Sequence, residues 1–262
     1  MPHPLGARAN VAVALALAAL SSIGAQSAPS AQRALRSADL YLLHDVRDPQ
    51  LSPDGAWVAY AVSSIDSAKD KSDSDIWMTS WDGTQTVRVT SSPESESSPR
   101  WSPDGRYLAF LSGRQEGKGA QLWLLDRRGG EAQRVSQLRG GISDFVWSPD
   151  AKHIALVVDE ETDSVARRDT ADKKTPKPIV IDRYQFKRDI EGYLGTKHSH
   201  LALFDLATRQ AENITNGLHD DGSPSWSPDG KAIAFVRSAM SEPGHVGEPD
   251  IYVMDARTGA TP

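Results

Sequence analysis

Four copies of one short motif constrain what this chain can fold into. Leu51-Ser-Pro-Asp-Gly55, Trp101-Ser-Pro-Asp-Gly105, Trp147-Ser-Pro-Asp-Ala151 and Trp226-Ser-Pro-Asp-Gly230 share a common core. Six residues after each Ser stand Val58, Leu108, Ile154 and Ile233. One further on are Ala59, Ala109, Ala155 and Ala234, and then Tyr60, Phe110, Leu156 and Phe235. Such a period implies units that bury their apolar faces against one another. Within the motif, Pro pre-sets φ at the second position of a tight turn. Asp bonds its own backbone, and Gly supplies the left-handed position that closes the hairpin. Ala151 replaces that Gly in the third copy, which predicts a strained or differently shaped turn there.

The apolar run after each turn is a short buried strand, and its repeated Ala marks a close approach between neighbouring sheets. The Trp ahead of the turn ends the previous strand and covers the core. Each unit continues into a further strand: Asp75-Ile-Trp-Met-Thr79, Gln121-Leu-Trp-Leu-Leu125, His200-Leu-Ala-Leu-Phe204 and Asp250-Ile-Tyr-Val-Met254. A last strand closes on a hydroxyl residue, Thr90, Ser136 or Thr215, and the fourth unit has no such strand. Four short strands per unit at ~40–50 residues is the signature of propeller blades. The Ser-to-Ser spacings are 50, 46 and 79, so the third unit carries an insertion. The expected fold is therefore all-β: a partial β-propeller of about four four-stranded blades. They occupy about 49–90, 97–136, 142–216 with an insertion at 159–193, and 222–262. Four blades is the low end of the ~4–8 that close a propeller, so the last blade is expected to be truncated and Pro262 to be a break.

The residues ahead of the blades have another character. Arg8 is the only charge before Arg33, and ten apolar residues run from Val11 to Leu20, followed by Ser21, Ser22, Gly24 and Ala25. This is the pattern of a secretory signal, too short for a ~20-residue membrane span. Residues 1–27 are expected to be removed on export to the periplasm or beyond, leaving 28–48 as a leader and N-terminal segment. Within it, Arg33–His44 is amphipathic and predicts a short helix or strand that Pro49 should end. No cysteine occurs in the 262 residues, which excludes disulfides, zinc-thiolate and iron–sulfur sites and a thiol nucleophile. The formal net charge of −6 argues against a nucleic-acid partner.

The Ser-Pro-Asp-Gly blades resemble one family when taken with three further features. These are the signal, the run Lys177-Pro-Ile-Val-Ile-Asp-Arg-Tyr-Gln-Phe-Lys187, and Gly192-Tyr-Leu-Gly followed by Ser199-His-Leu-Ala-Leu-Phe-Asp205. The family is the prolyl oligopeptidase family of serine peptidases, in its acylaminoacyl-peptidase and dipeptidyl-aminopeptidase branch. The resemblance covers about residues 37–262, and the blade motif alone also resembles TolB-type propellers. It implies an N-terminal propeller that filters peptides into a C-terminal α/β-hydrolase domain carrying a Ser-Asp-His triad. The sequence departs from the family in having no G-x-S-x-G nucleophile elbow; the nearest string, Gly141-Ile-Ser-Asp-Phe145, lacks the second Gly. The hydrolase domain is thus expected to be missing from this chain, which would contact peptide and dock that domain without cleaving bonds. The alternative is a TolB-like propeller that binds protein partners in the periplasm. A third reading, a propeller hydrolase with a central metal, lacks the repeated column of inward His and carboxylates that it needs.

No catalytic residue, metal site or cofactor is assigned. Glu160 and Glu161 open the insertion. The resemblance implies a role for such a pair in holding the free amino terminus of a peptide through charge-assisted hydrogen bonds. Arg183 and Tyr184 are further candidates to face the substrate, along with Lys187. His198 and His200 alternate on a strand and share a face, with His219, Asp220 and Asp221 in the next loop, so a metal site there is geometrically conceivable. The turn carboxylates Asp54, Asp104, Asp150 and Asp229 are expected to be hydrogen-bonded turn residues and not calcium ligands.

Overall fold

The computed structural model describes residues 33–114, 119–161, 187–189, 192–193, 197–239 and 248–259. Residues 33–40 fall in a compact unit separate from 41–262. A 3-10 helix spans Ser37–Leu42, and within residues 33–40 Arg33 grips Asp39 at 2.6 Å.

The described chain is all-β and arranged in four antiparallel sheets, one per repeat. The first contains β1 (Asp45–Leu51), β2 (Trp57–Asp66), β3 (Lys71–Ser80) and β4 (Thr86–Arg88), in that order. The second contains β5 (Glu96–Trp101), β6 (Tyr107–Ser112), β7 (Gln121–Asp126) and β8 (Gln133–Arg134). In the third, β9 (Ile142–Trp147) and β10 (His153–Glu161) pair with β13 (Lys197–Asp205) and β14 (Gln210–Asn213). A small ribbon of β11 (Lys187–Arg188) and β12 (Gly192–Tyr193) interrupts that sheet in sequence, inside the insertion. The fourth has three strands among the described residues: β15 (His219–Trp226), β16 (Ala232–Ala239) and β17 (Pro249–Asp255).

The blades are locked at two repeated points, the first present in all four and the second in the first three. At the turn, Ser52, Ser102, Ser148 and Ser227 donate their hydroxyls to Asp54, Asp104, Asp150 and Asp229, at 2.5–2.7 Å. The same hydroxyls accept the backbone N–H that opens the next strand, at 2.9 Å in every copy. The Asp carboxylates are thereby consumed as turn residues, as expected. Ala151 does not reshape its turn: it adopts φ 58° where Gly55, Gly105 and Gly230 lie at 69–70°. The Ser148–Asp150 bonds hold an L-residue in a conformation that costs roughly 1–2 kcal/mol.

The second lock explains the terminal hydroxyl residues. Strands β4, β8 and β14 end before them. The buried Thr90, Ser136 and Thr215 hydroxyls accept the N–H of Ile76, Leu122 and Leu201, at 2.8–2.9 Å. A backbone donor that the outer strand no longer reaches is thus satisfied by a side chain.

Blade packing follows the predicted columns. Ala59, Ala61 and Ile76 meet Trp101, Leu108 and Phe110 of the second blade. Ala109 and Leu111 meet Trp147, Ile154 and Leu156 of the third. Ala155 and Val157 meet Ile233 and Phe235 of the fourth. The first three Ala of the column are fully buried, as a close approach requires. Ala234 is half-buried, and Ile251 and Val253 on its face of the fourth blade are exposed.

The Trp column does more than cover the core. The indole N–H of Trp101 donates to Gln50 O at 2.9 Å, that of Trp147 to Arg100 O at 3.4 Å, and that of Trp226 to Val146 O at 3.4 Å. Each blade is clamped to the inner strand of the one before it. Leu51 occupies the same column with no blade ahead of it among the described residues, and is 54% exposed.

Pro49 corrects one expectation. It lies inside β1 and does not end the preceding segment. The strand accommodates it by a bulge between Arg47 and Gln50, with Asp48 at φ 52°. Pro99 and Pro224 repeat this three residues before Ser102 and Ser227, with Ser98 at φ 55° and Ser223 at φ 51°. Proline is tolerated in a strand at a bulge, where its missing N–H breaks no ladder bond.

Candidate functional site

The two ends of the blades differ chemically. The turn end spends its carboxylates on local backbone. The opposite end, where the inner strands begin and the second strand hands over to the third, buries ionisable side chains. Glu96 is fully buried, Asp221 is 1% exposed, and Asp75 and His200 are each 6% exposed. Burial pushes the Asp75 carboxyl above its ordinary value, against the pull of Arg88 at 2.6 Å.

Glu96 and Asp221 are equivalent, each six residues ahead of its turn Ser. Asp221 faces Arg237 across the β15–β16 ladder. Arg237 donates Nε to Oδ1 at 2.7 Å and Nη2 to Oδ2 at 3.0 Å, a side-on bidentate pair. Its guanidinium stands 5.3 Å from the Phe235 ring centroid and 5.2 Å from that of Tyr252. In the second blade Ser112 faces Glu96, and the arginine comes two residues later, as Arg114. It lies 3.9 Å over the Trp123 ring and 5.4 Å from Phe110, while its Nη1 is 3.9 Å from Glu96 Oε1. That oxygen already accepts the hydroxyls of Ser92 and Ser112.

Histidines gather beside Asp221. His198 Nδ1 is 3.3 Å from Asp220, and His200 Nδ1 is 3.9 Å from Asp221. The His200 and His219 rings meet edge-on with centroids 6.3 Å apart. Gly217 makes room for this, because a Cβ there would sit 2.5 Å from His219 Cε1. Burial, aided by Arg237, lowers the His219 pKa. Among the described residues no group of three or more His, Asp or Glu is placed to hold a metal ion, and Asp221 is committed to Arg237.

Of the candidates named from sequence, Glu160 and Glu161 end β10, with their backbones opposite His198 and Lys197. The third blade thus brings the acidic pair and the histidines to one blade end. Arg183 and Tyr184 lie outside the described residues, as do residues 1–32 and most of the insertion. Glu96, Arg114 and Arg237 escaped the sequence reading. The available signal was an acidic residue at the same offset before two of the four turn Ser.

The family model for the TolB beta propeller domain matches residues 42–177. The chain belongs to this TolB β-propeller family. This TolB-type propeller is also 32% identical over 218 residues to the uncharacterized peptidase YuxL of Bacillus subtilis, covering 82% of the chain and 33% of YuxL. Its fold matches the acylaminoacyl peptidase of Pyrococcus horikoshii with a TM-score of 0.61 at 19% identity, over 82% of the chain and 31% of that protein. It matches a putative TolB from Agrobacterium tumefaciens with a TM-score of 0.52 at 19% identity, over 83% of the chain and 64% of that protein. The propeller therefore spans about a third of the length of either peptidase. The likeness to the N-terminal propeller portion of prolyl oligopeptidase-family peptidases, expected from the sequence, holds.

Proposed function

We propose that this chain is the substrate-gating propeller of an exported serine peptidase acting on peptides, of dipeptidyl or acylaminoacyl type, with its α/β-hydrolase domain outside the 262 residues. The observation that carries this reading is the 32% identity to a peptidase across 82% of the chain. The apolar run at Val11–Leu20 supports export. On this reading Glu160 and Glu161, at the blade end where β10 leads into the insertion, bind the substrate amino terminus, with Arg183 and Tyr184 lining the same path.

Three tests address it. The coding sequence beyond codon 262 is expected to contain G-x-S-x-G followed by Asp and His; a stop codon after two or three more blades would instead favour a TolB-like interaction propeller. In the continuous protein, Glu160→Gln with Glu161→Gln should raise KM for substrates with a free amino terminus and leave N-blocked substrates unchanged. Equal effects on both substrate types would remove the glutamates from recognition. The chain alone is expected to turn over no peptidyl chromogenic substrate, and turnover abolished by a serine-directed inhibitor would overturn the division of labour.

A further inference from the structure

The seam between the first and second blades contains an arginine whose binding edge is unused. Arg114 Nε and Nη2 are buried and meet no hydrogen-bond acceptor among the described residues, and the same is true of the Trp123 indole N–H. Nε and Nη2 form the side-on fork of a guanidinium, the edge that matches the two oxygens of a carboxylate. Glu96 does not fill it. Glu96 approaches Nη1, at 3.9 Å, and its Oε1 is shared by Ser92 and Ser112.

The molecule contains its own reference for what such a fork takes. In the fourth blade Arg237 uses the same two atoms, Nε and Nη2, to hold both oxygens of Asp221. That arginine stands beside Phe235 and Tyr252, which occupy the same repeat columns as Phe110 and Trp123 beside Arg114. Displacement of Arg114 by two residues along its strand end separates the fork from its own blade's acid. A buried donor without an acceptor costs free energy, and here three such donors lie around one stacked guanidinium. Their inventory calls for oxygen acceptors. Glu96 Oε2 is also buried and without a donor.

We propose that Arg114, backed by Trp123, is a carboxylate-binding site of this propeller, gripping both oxygens of a ligand carboxylate side-on. The ligand class is a carboxylate, from either a peptide C-terminus or a small free acid. The site does not depend on the peptidase reading.

The test uses the full 262-residue chain, with the Trp123 indole N–H followed by NMR and assigned through Trp123→Phe. N-acetyl-trialanine with a free C-terminus, its C-terminal amide, and acetate are titrated in parallel. The free acid is expected to shift that resonance saturably, and the amide to bind about tenfold or more weaker. A matching response to acetate assigns the site to free small acids, and a response to the peptide acid alone assigns it to peptide termini; either supports the proposal. No shift with any carboxylate, or equal shifts with acid and amide, overturns it. Arg114→Lys keeps the charge and loses the fork, so binding should fall by about tenfold or more. Retained binding in a folded Arg114→Lys protein also overturns the proposal. Should that variant not fold, the acid-against-amide comparison on the unaltered chain decides.

Discussion

The second and fourth blades are assembled from the same parts and use them differently. Both place an acidic residue six positions before the turn Ser, an arginine at the end of the second strand, and two aromatic rings beside it. In the fourth blade the arginine stands opposite the acid and closes on it at 2.7 and 3.0 Å. In the second it stands two residues further along, and the approach opens to 3.9 Å. Two residues of strand are roughly 7 Å. A displacement of that size separates an ion pair closed across two strands of one blade from a guanidinium fork left open.

The largest expected effect comes from neutralising the two acids. Asp221→Asn leaves Arg237 buried without its charge partner and should cost about 3–5 kcal/mol in urea unfolding. Glu96→Gln keeps the serine contacts and was never in close contact with its arginine, so about 1 kcal/mol is expected. Equal losses would show that the two acid–arginine placements are energetically alike after all.

The indole clamps give the next comparison. Trp101 is 8% exposed and its bond is 2.9 Å, whereas Trp226 is half-buried and its bond is 3.4 Å. Trp101→Phe should therefore destabilise by about 1–2 kcal/mol and Trp226→Phe by less than about 1 kcal/mol. The reverse order in thermal unfolding would mean that the seam at the fourth blade is the tighter one.

The turns are where the two blades should not differ. Gly105 and Gly230 hold φ 69° and 70°, so Gly105→Ala and Gly230→Ala should each cost about 1 kcal/mol. Ala151→Gly, at the matching turn of the third blade, should gain about 0.5–1 kcal/mol by relieving the left-handed Ala. A loss on that substitution would show that the Cβ of Ala151 contributes packing that outweighs its strain.

Acid provides the subtlest separation. Burial lowers the His219 pKa, so the unfolded chain binds the proton more readily than the folded one. Its contribution is intact above the unfolded value of about 6.5 and is lost as pH falls below it. Asp104 in the second blade is lowered chiefly by the Ser102 hydroxyl. Its stabilisation is present above the unfolded value of about 4 and is lost as pH falls through the folded one. Amides of β15 should therefore lose hydrogen-exchange protection as pH falls below about 6.5, while those of β5 hold until below about pH 4. Simultaneous loss in both strands would rule out His219 as the source.

Much of this architecture was legible in the residues. The turn motif announced four blades, the Ala column marked where they meet, and the 79-residue spacing located the insertion that opens after β10. The terminal hydroxyls were visible as a pattern, but their purpose required the geometry: the outer strand stops short and the side chain takes over a backbone donor. The bulges at Asp48, Ser98 and Ser223 follow from Pro49, Pro99 and Pro224 standing three residues before a turn Ser, a column that Pro49 by itself does not reveal. For the candidate site, Glu160, Glu161 and the histidines were named from sequence, and the blade register brings their backbones to one end. Arg114 and Arg237 belong to no repeated motif, and only the geometry singles them out.

The division has a physical cause. Turn chemistry and strand periodicity depend on residues within about ten positions of one another, so the sequence by itself determined the repeat, the strands and the columns that pack. Whether an acid meets its arginine depends on cross-strand register and on how one blade seats against the next. Only the tertiary structure decided that Asp221 is paired and that, among the described residues, the Arg114 fork is not, because desolvation and a two-residue offset are properties of the assembled blades.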